Sequence, residues 1–284
     1  MNSGKILVTG ATGQLGSLVL RHLGKRAPGV QAIAGGRNAA KAAAGAEFRL
    51  VDYDRPATIE AALDGVSRVL LVSGSEVGKR VAQHKAVIDA ATNAGVQLLG
   101  YTSILRADSN PLKLAEEHRA TEQVLAEGKV PYIVLRNGWY SENYLGSAAL
   151  AMKFGLLQSA SRDGRIATAT RNDYAEGAAA LMLRDDHRAG HSYELAGSTS
   201  FNKSELAELL SRLAGKHVAV QDLTEAEYAA ALVQAGLPEP FARILADSDA
   251  RSGDGWLFDD SRTLENAIGR PTTPMEETLR ASIS

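Results

Sequence analysis

Near the start of the chain, Gly10-Ala11-Thr12-Gly13-Gln14-Leu15-Gly16 carries the glycine spacing that brings a backbone against a pyrophosphate. It follows a β-branched apolar run, Lys5 to Thr9, and leads into Leu15, Leu18, Val19 and Leu23, which recur at helical spacing. In such a strand–turn–helix, Gly10 permits the tight turn, Gly13 removes the Cβ that would hold a phosphate off, and Gly16 lets helix and strand pack closely. The helix N-terminus then presents free N–H groups and the positive end of its dipole to the phosphates. The chemistry this implies is dinucleotide binding.

The end of the second strand decides which dinucleotide. An NAD site places Asp or Glu there for the ribose 2′-hydroxyl, whereas a 2′-phosphate needs a cation. Here the chain reads Ala34-Gly35-Gly36-Arg37-Asn38, with Lys41 a turn later and no carboxylate. The guanidinium fork of Arg37 suits phosphate oxygens, so NADPH is expected in preference to NADH. Asp52-Tyr53 follows the third strand, at the adenine edge, and Ser73-Gly74-Ser75 follows the fourth, where small side chains leave space for ribose.

Apolar runs at Val30–Ala34, Phe48–Val51, Val69–Val72, Gln97–Thr102 and Tyr132–Leu135 continue the first strand. Helical patterns at Ala57–Leu63, Val77–Ala94 and Leu112–Ala126, with a weaker turn at Asn38–Ala44, lie between them. Strands alternating with helices imply right-handed crossovers, hence a doubly wound parallel α/β sheet of Rossmann type. The boundary of this NADPH-binding domain is expected at 1–136, with a late strand returning at His191–Leu195. Residues 137–284 are read as a smaller, mainly helical substrate-binding lobe. Its helices are expected at Ser147–Phe154, Asp173–Leu183, Ser204–Leu213, Glu225–Ala235 and Ser261–Ile268, with Pro238, Pro240, Pro271 and Pro274 as breaks. The 284 residues are 45% hydrophobic and 23% charged, which excludes disorder, and the net charge of −2 supplies no field for nucleic acid. The absence of Cys removes disulfides, thiolate metal sites and cysteine nucleophiles, and suits the cytoplasm. No signal-peptide core follows Met1-Asn2-Ser3, and no apolar run reaches membrane-spanning length.

Six segments together carry a likeness over nearly the whole chain: Thr9 to Gly16, Gly36-Arg37-Asn38, Ser75-Glu-Val-Gly78, Tyr101-Thr102-Ser103, Leu135-Arg-Asn-Gly-Trp-Tyr-Ser-Glu-Asn-Tyr144 and Phe258-Asp-Asp-Ser261. The sequence resembles the NmrA-like atypical short-chain dehydrogenase/reductases, and within them the bacterial type 2 NADPH:quinone oxidoreductases. The resemblance implies that Gly10, Ala11, Thr12, Gly13, Gln14 and Leu15 hold the pyrophosphate, Arg37 the 2′-phosphate, and Ser73 to Ser75 the ribose side. By the same likeness Asn137, Gly138, Trp139, Tyr140, Ser141 and Glu142 meet the nicotinamide end, and Thr168, on the Arg165–Thr170 segment, closes over the cofactor.

Classical short-chain dehydrogenases pair a Tyr with a Lys four residues on, which lowers the phenol's pKa for proton exchange. None of the eight Tyr here has Lys at that spacing; Tyr132 has Arg136. An alcohol substrate is therefore disfavoured. A quinone needs less help, because the hydroquinone anion formed by hydride transfer is delocalised, and the protein's task becomes placing a flat ring and excluding water. Tyr140 and Asn143 are the candidate catalytic groups in that block, with Trp139 and Tyr144 as stacking faces, and His118 could orient substrate or donate a proton. His84 is expected to be structural. His187 and His191 have a metal-pair spacing but sit in a non-helical context, so no metal is expected. Asp259 and Asp260 read as favourable charges before an N-cap at Ser261. The expected activity is NADPH-dependent quinone reduction by direct hydride transfer, without flavin or metal, in a chain that could form a homo-oligomer. Two alternatives are a dinucleotide-binding redox sensor without turnover and a reductase of dyes or other flat conjugated acceptors. The aromatic block favours an enzyme over a sensor.

Overall fold

The computed structural model describes residues 4–43 and 45–283. Met1, Asn2, Ser3 and Ala44 of the segments discussed above lie outside the described residues. The chain runs β1 (Lys5–Val8), α1 (Gln14–Arg26), β2 (Ala32–Gly36), β3 (Glu47–Leu50), α2 (Pro56–Ala62), β4 (Val66–Leu71), α3 (Arg80–Asn93), β5 (Leu98–Ile104), α4 (Lys113–Glu127) and β6 (Tyr132–Asn137). It continues through α5 (Leu145–Phe154), β7 (Leu156–Ser159), α6 (Arg171–Met182), β8 (His191–Leu195), α7 (Lys203–Ala214) and β9 (Ala219–Asp222). Helices α8 (Glu225–Gln234), α9 (Glu239–Ser252), α10 (Thr263–Ile268) and α11 (Met275–Ile283) complete it.

Seven strands form one parallel sheet in the order β3-β2-β1-β4-β5-β6-β8, with Leu7 opposite Ile33 on one side and Val69 on the other. Strand residues alternate between its two faces. Ile6, Val8, Leu70, Ile133 and Leu135 pack with α1, α6 and α10 through Val19, Leu23, Tyr174, Ala178 and Leu264. Leu7, Ile33, Val69, Leu99 and Tyr101 pack on the other face with Ile59, Ile88 and Leu125 of α2, α3 and α4. Each such apolar side chain stabilises the fold by roughly 1.5–3 kcal/mol on burial. Winding outward in both directions from β1 and β4 opens a crevice at their C-terminal ends, the place where this sheet type binds ligands.

A second core lies beyond those ends. Leu112, Tyr144, Leu157, Leu206, Leu210, Leu257 and Leu279 gather the C-terminal helices, and β7 pairs with β9 in a small parallel sheet. The fold class is thus a doubly wound α/β sheet with a mainly helical C-terminal lobe. The late strand at His191–Leu195 pairs with β6.

Several element limits differ from the sequence expectation. The pattern at Val77–Ala94 begins as a helix only at Arg80, because Gly78 has φ +90°. The turn at Asn38–Ala44 is a single 3₁₀ turn, Ala39–Lys41, capped by the Asn38 side chain, which accepts from Ala40 N. Pro240 does not break a helix but sits in the first turn of α9, where its missing N–H costs nothing. Ser261 is not an N-cap: Asp259 Oδ1 accepts from Ser261 N and Oγ, and α10 starts at Thr263 after Arg262 at φ +56°. The β7–β9 pair and α11 had no distinct periodic signal. No helix among the described residues is long and apolar enough to cross a membrane.

Candidate active site

The glycine turn takes the form its spacing predicts. Gly10 has φ +58°, and Ala11 N donates to Gly35 O at 3.0 Å while Gly13 N donates to Gly10 O at 2.9 Å. A Cβ on Gly16 would lie 2.5 Å from Gly10 O, so only glycine lets α1 start this close to the turn. The start of α1 has no side-chain cap and no acidic residue in its first turn. Its dipole end is therefore left for an anion, and a pyrophosphate fits that chemistry. Behind the turn, Tyr53 Oη donates to Val72 O at 2.9 Å and meets Thr9 Oγ1 at 2.5 Å. The Tyr53 hydroxyl is thus turned inward, tying β1 to β4. Asp52 caps its own turn, accepting from Asp54 N.

Arg37 projects from the end of β2 with its side chain 69% exposed. Facing it is a carboxylate from a different loop: Arg37 Nη1 lies 3.4 Å from Glu76 Oε1, and Lys79 Nζ is 3.3 Å from Glu76 Oε2. The loop that carries Glu76, following β4, is pinned at three backbone N–H groups. Ser73 N donates to Thr102 Oγ1 (2.9 Å), Gly74 N to His84 Nε2 (3.0 Å) and Gly78 N to Glu117 Oε1 (2.9 Å).

Two buried histidines hold up this side of the crevice. Because His84 Nε2 accepts from Gly74, its proton is on Nδ1, which donates to Thr121 Oγ1 at 2.9 Å; Thr121 in turn donates to Glu117 O. His118 Nδ1 pairs with Tyr101 Oη at 2.8 Å. Burial, with the Arg80 guanidinium nearby, pushes the imidazole pKa of His84 down to about 4 and that of His118 to about 3. Both rings are neutral at ordinary pH.

The block after β6 is assembled by a residue outside it. Arg171, the first residue of α6, lies over the Tyr140 ring with Cζ 4.7 Å from the centroid. Its Nη2 donates to Asn143 Oδ1 at 3.0 Å, and its backbone N donates to Glu142 Oε1 at 2.9 Å. Burial raises the Tyr140 phenol, partly offset by Asn137 and by the Arg171 charge, so the phenol keeps its proton. Ser141 Oγ donates to Thr168 Oγ1 at 3.0 Å, and Ser141 N donates to Ala169 O at 2.9 Å, which lays the Arg165–Thr170 segment against the block. Gly138 leaves no room for a side chain: its Cβ would meet Tyr174 Oη at 2.8 Å.

A family model described as the NmrA-like family matches residues 2–276. The chain belongs to the NmrA-like family. It is 49% identical over 278 residues to quinone oxidoreductase 2 of Escherichia coli K12, covering 96% of this chain and 97% of that protein. The crystal structure of the NADPH-dependent quinone oxidoreductase 2 of E. coli complexed with NADPH superposes with a TM-score of 0.94 at 48% identity, covering 98% and 100% of the two chains. The Citrobacter triphenylmethane reductase complexed with NADP(H) gives 0.91 at 35% identity, covering 98% and 99%.

In this NmrA-like chain the three candidate catalytic residues fall into two groups. Tyr140 and Asn143 share Arg171, whereas His118 stands with Tyr101, His84 and Thr121 on the α3–α4 face; no hydrogen bond or ring contact joins the groups among the described residues. Trp139 is half-buried against the second core, and Tyr144 is buried there, edge-on to Phe201 at 5.6 Å with Lys203 Nζ 5.2 Å from its ring. His187 is occupied by Tyr193 Oη and Leu181 O. Sequence reasoning missed Arg171, and it quoted Glu76 only within the Ser75–Gly78 segment without a role; His84 is structural as expected, holding Gly74 and Thr121. The only signal for Arg171 was its place at the head of the Asp173–Leu183 pattern, which says nothing about a partner 28 residues away.

Proposed function

We propose that this protein reduces quinones with NADPH by direct hydride transfer, without flavin or metal. The observation that carries the reading is the 49% identity to a quinone oxidoreductase over 96% of the chain, retained together with an uncapped glycine turn. In this reading Gly10 to Leu15 take the pyrophosphate, Arg37 the 2′-phosphate, Asp52 and Tyr53 the adenine side, Ser73 to Ser75 the ribose, and Asn137 to Glu142 with Thr168 the nicotinamide end. The division of labour follows the chain: residues 1–136 with β8 hold the cofactor, and residues 137–284 mainly shape the substrate site.

Bound NADPH supplies a hydride to the quinone ring, and a proton from solvent completes the hydroquinone. The chain's own part is positional. Tyr140, held protonated, donates a hydrogen bond to a quinone oxygen, and Asn143 offers its amide N–H while Arg171 holds its carbonyl oxygen. His118, hydrogen-bonded through Nδ1 to Tyr101 and set apart from that pair on the α3–α4 face, contributes as a neutral ring that holds this side of the crevice. Delivering two electrons at once avoids the semiquinone radical, so a protective role in the cytoplasm belongs to the same proposal.

The test is oxidation of NADPH and of NADH by a panel of benzoquinones and naphthoquinones, with the wild-type protein and Arg37→Ala. Turnover that prefers NADPH, and loses that preference in the variant, is the expected result. Tight NADPH binding with no acceptor-dependent oxidation would make the redox-sensor reading the better one.

A further inference from the structure

We infer that Glu76 is a specificity-determining residue that competes with the cofactor's 2′-phosphate for Arg37. This rests on the proposed role of Arg37 and adds to it a built-in rival.

The geometry is specific. At the β2 end the sequence has no carboxylate, which by itself favours a 2′-phosphate. The fold nevertheless brings one there from the β4 loop, with Glu76 Oε1 3.4 Å from Arg37 Nη1 and Oε2 3.3 Å from Lys79 Nζ. One carboxylate thus engages two cations. Glu76 is not placed by chance of a free side chain: its loop is anchored on both sides, by Thr102 and His84 at Ser73 and Gly74 and by Glu117 at Gly78. Lys79 N also donates to Glu76 O at 3.1 Å, closing the turn that aims Glu76 outward.

A 2′-phosphate taken up by Arg37 must displace Glu76 or sit beside it. Displacement loses the Arg37–Glu76 pair, and coexistence puts two anions on one guanidinium. Either way the preference for NADPH is held below what Arg37 alone would give. NADH, with a neutral 2′-hydroxyl, meets neither cost. Because the pair is solvent-exposed, the effect is modest and screened by salt.

The test is calorimetric binding of NADPH and NADH, without any acceptor, to the wild-type protein, Glu76→Gln, Arg37→Ala and the double variant. Glu76→Gln is expected to tighten NADPH by about threefold to tenfold while leaving NADH within about twofold. The gain should shrink at high salt and vanish in the Arg37→Ala background. If Glu76→Gln leaves NADPH affinity unchanged or weakens it while Arg37→Ala still loses NADPH selectively, the Glu76 proposal is overturned and the Arg37 reading stands. If Arg37→Ala binds NADPH as the wild type does, both fall. Binding of 2′,5′-ADP against 5′-AMP locates the effect at the 2′-phosphate: a gain shared equally by both nucleotides would also overturn it.

Discussion

His84 Nε2 accepts the backbone N–H of Gly74 at 3.0 Å, so a helix residue ten positions downstream sets the shape of the loop that follows β4. The bond exists only for a neutral imidazole with its proton on Nδ1, and Thr121 secures that tautomer. Replacing His84 with Leu leaves the Gly74 N–H without an acceptor, while the Thr121 hydroxyl keeps only its bond to Glu117 O. A loss of about 1–3 kcal/mol in stability is expected, with weaker NADPH binding; His84→Gln, which keeps an acceptor, should recover part of both. Thermal unfolding with and without NADPH checks this, and unchanged binding in His84→Leu would argue against the positioning role.

The same histidines predict how stability depends on pH. Each has an ordinary pKa of 6.5 in the unfolded chain and a folded value of about 4 for His84 and about 3 for His118. Between those limits the unfolded state binds more protons than the native one, so stability rises with pH. Their contribution is complete above pH 6.5 and is lost as the pH falls toward 4 and then 3. Urea unfolding across that range should show a shallower slope for His84→Leu and for His118→Gln than for the wild type. Parallel curves would contradict neutral burial.

Arg171 is expected to matter for turnover more than for cofactor affinity. It stacks on Tyr140 and holds Asn143, the two groups proposed to meet the quinone, and it also pairs with Glu142. Arg171→Ala should lower kcat/KM for quinones by about tenfold to a hundredfold while changing the Kd of NADPH little. Arg171→Lys keeps the charge but not the planar stack, and should recover only a fraction. Equal losses in NADPH affinity and turnover would place Arg171 at the cofactor instead.

Gly16→Ala tests the close start of α1. The added methyl would meet Gly10 O at 2.5 Å and Ala11 Cα at 2.9 Å, all backbone, so the helix must shift. A cost of about 1–3 kcal/mol is expected, with NADPH affinity down by about tenfold as the dipole end moves off the phosphates. Gly24, which has open space around it, is the control: Gly24→Ala should bind NADPH as the wild type does. Equal behaviour of the two variants would show that the turn is not a close-contact site.

What could be read from the sequence was whatever depends on neighbours along the chain. The glycine turn, the β-branched buried strands and the helical periods between them are local, because backbone freedom at Gly10 and the spacing of Val19 and Leu23 act within a few residues. They determined the doubly wound sheet, its crevice and the cation at the end of β2. The C-terminal lobe was less legible. Pro240 signals a break or a helix start with equal force, and β7 and β9 are four residues each, too short to show a period. What only the tertiary structure decided is which side chains share the crevice. Glu76 faces Arg37, His84 holds Gly74, and Arg171 joins Tyr140 to Asn143 because crossovers bring distant strand ends and helix starts to one edge of the sheet. Contacts of that kind are set by packing between layers, and no spacing within a single stretch of sequence encodes them.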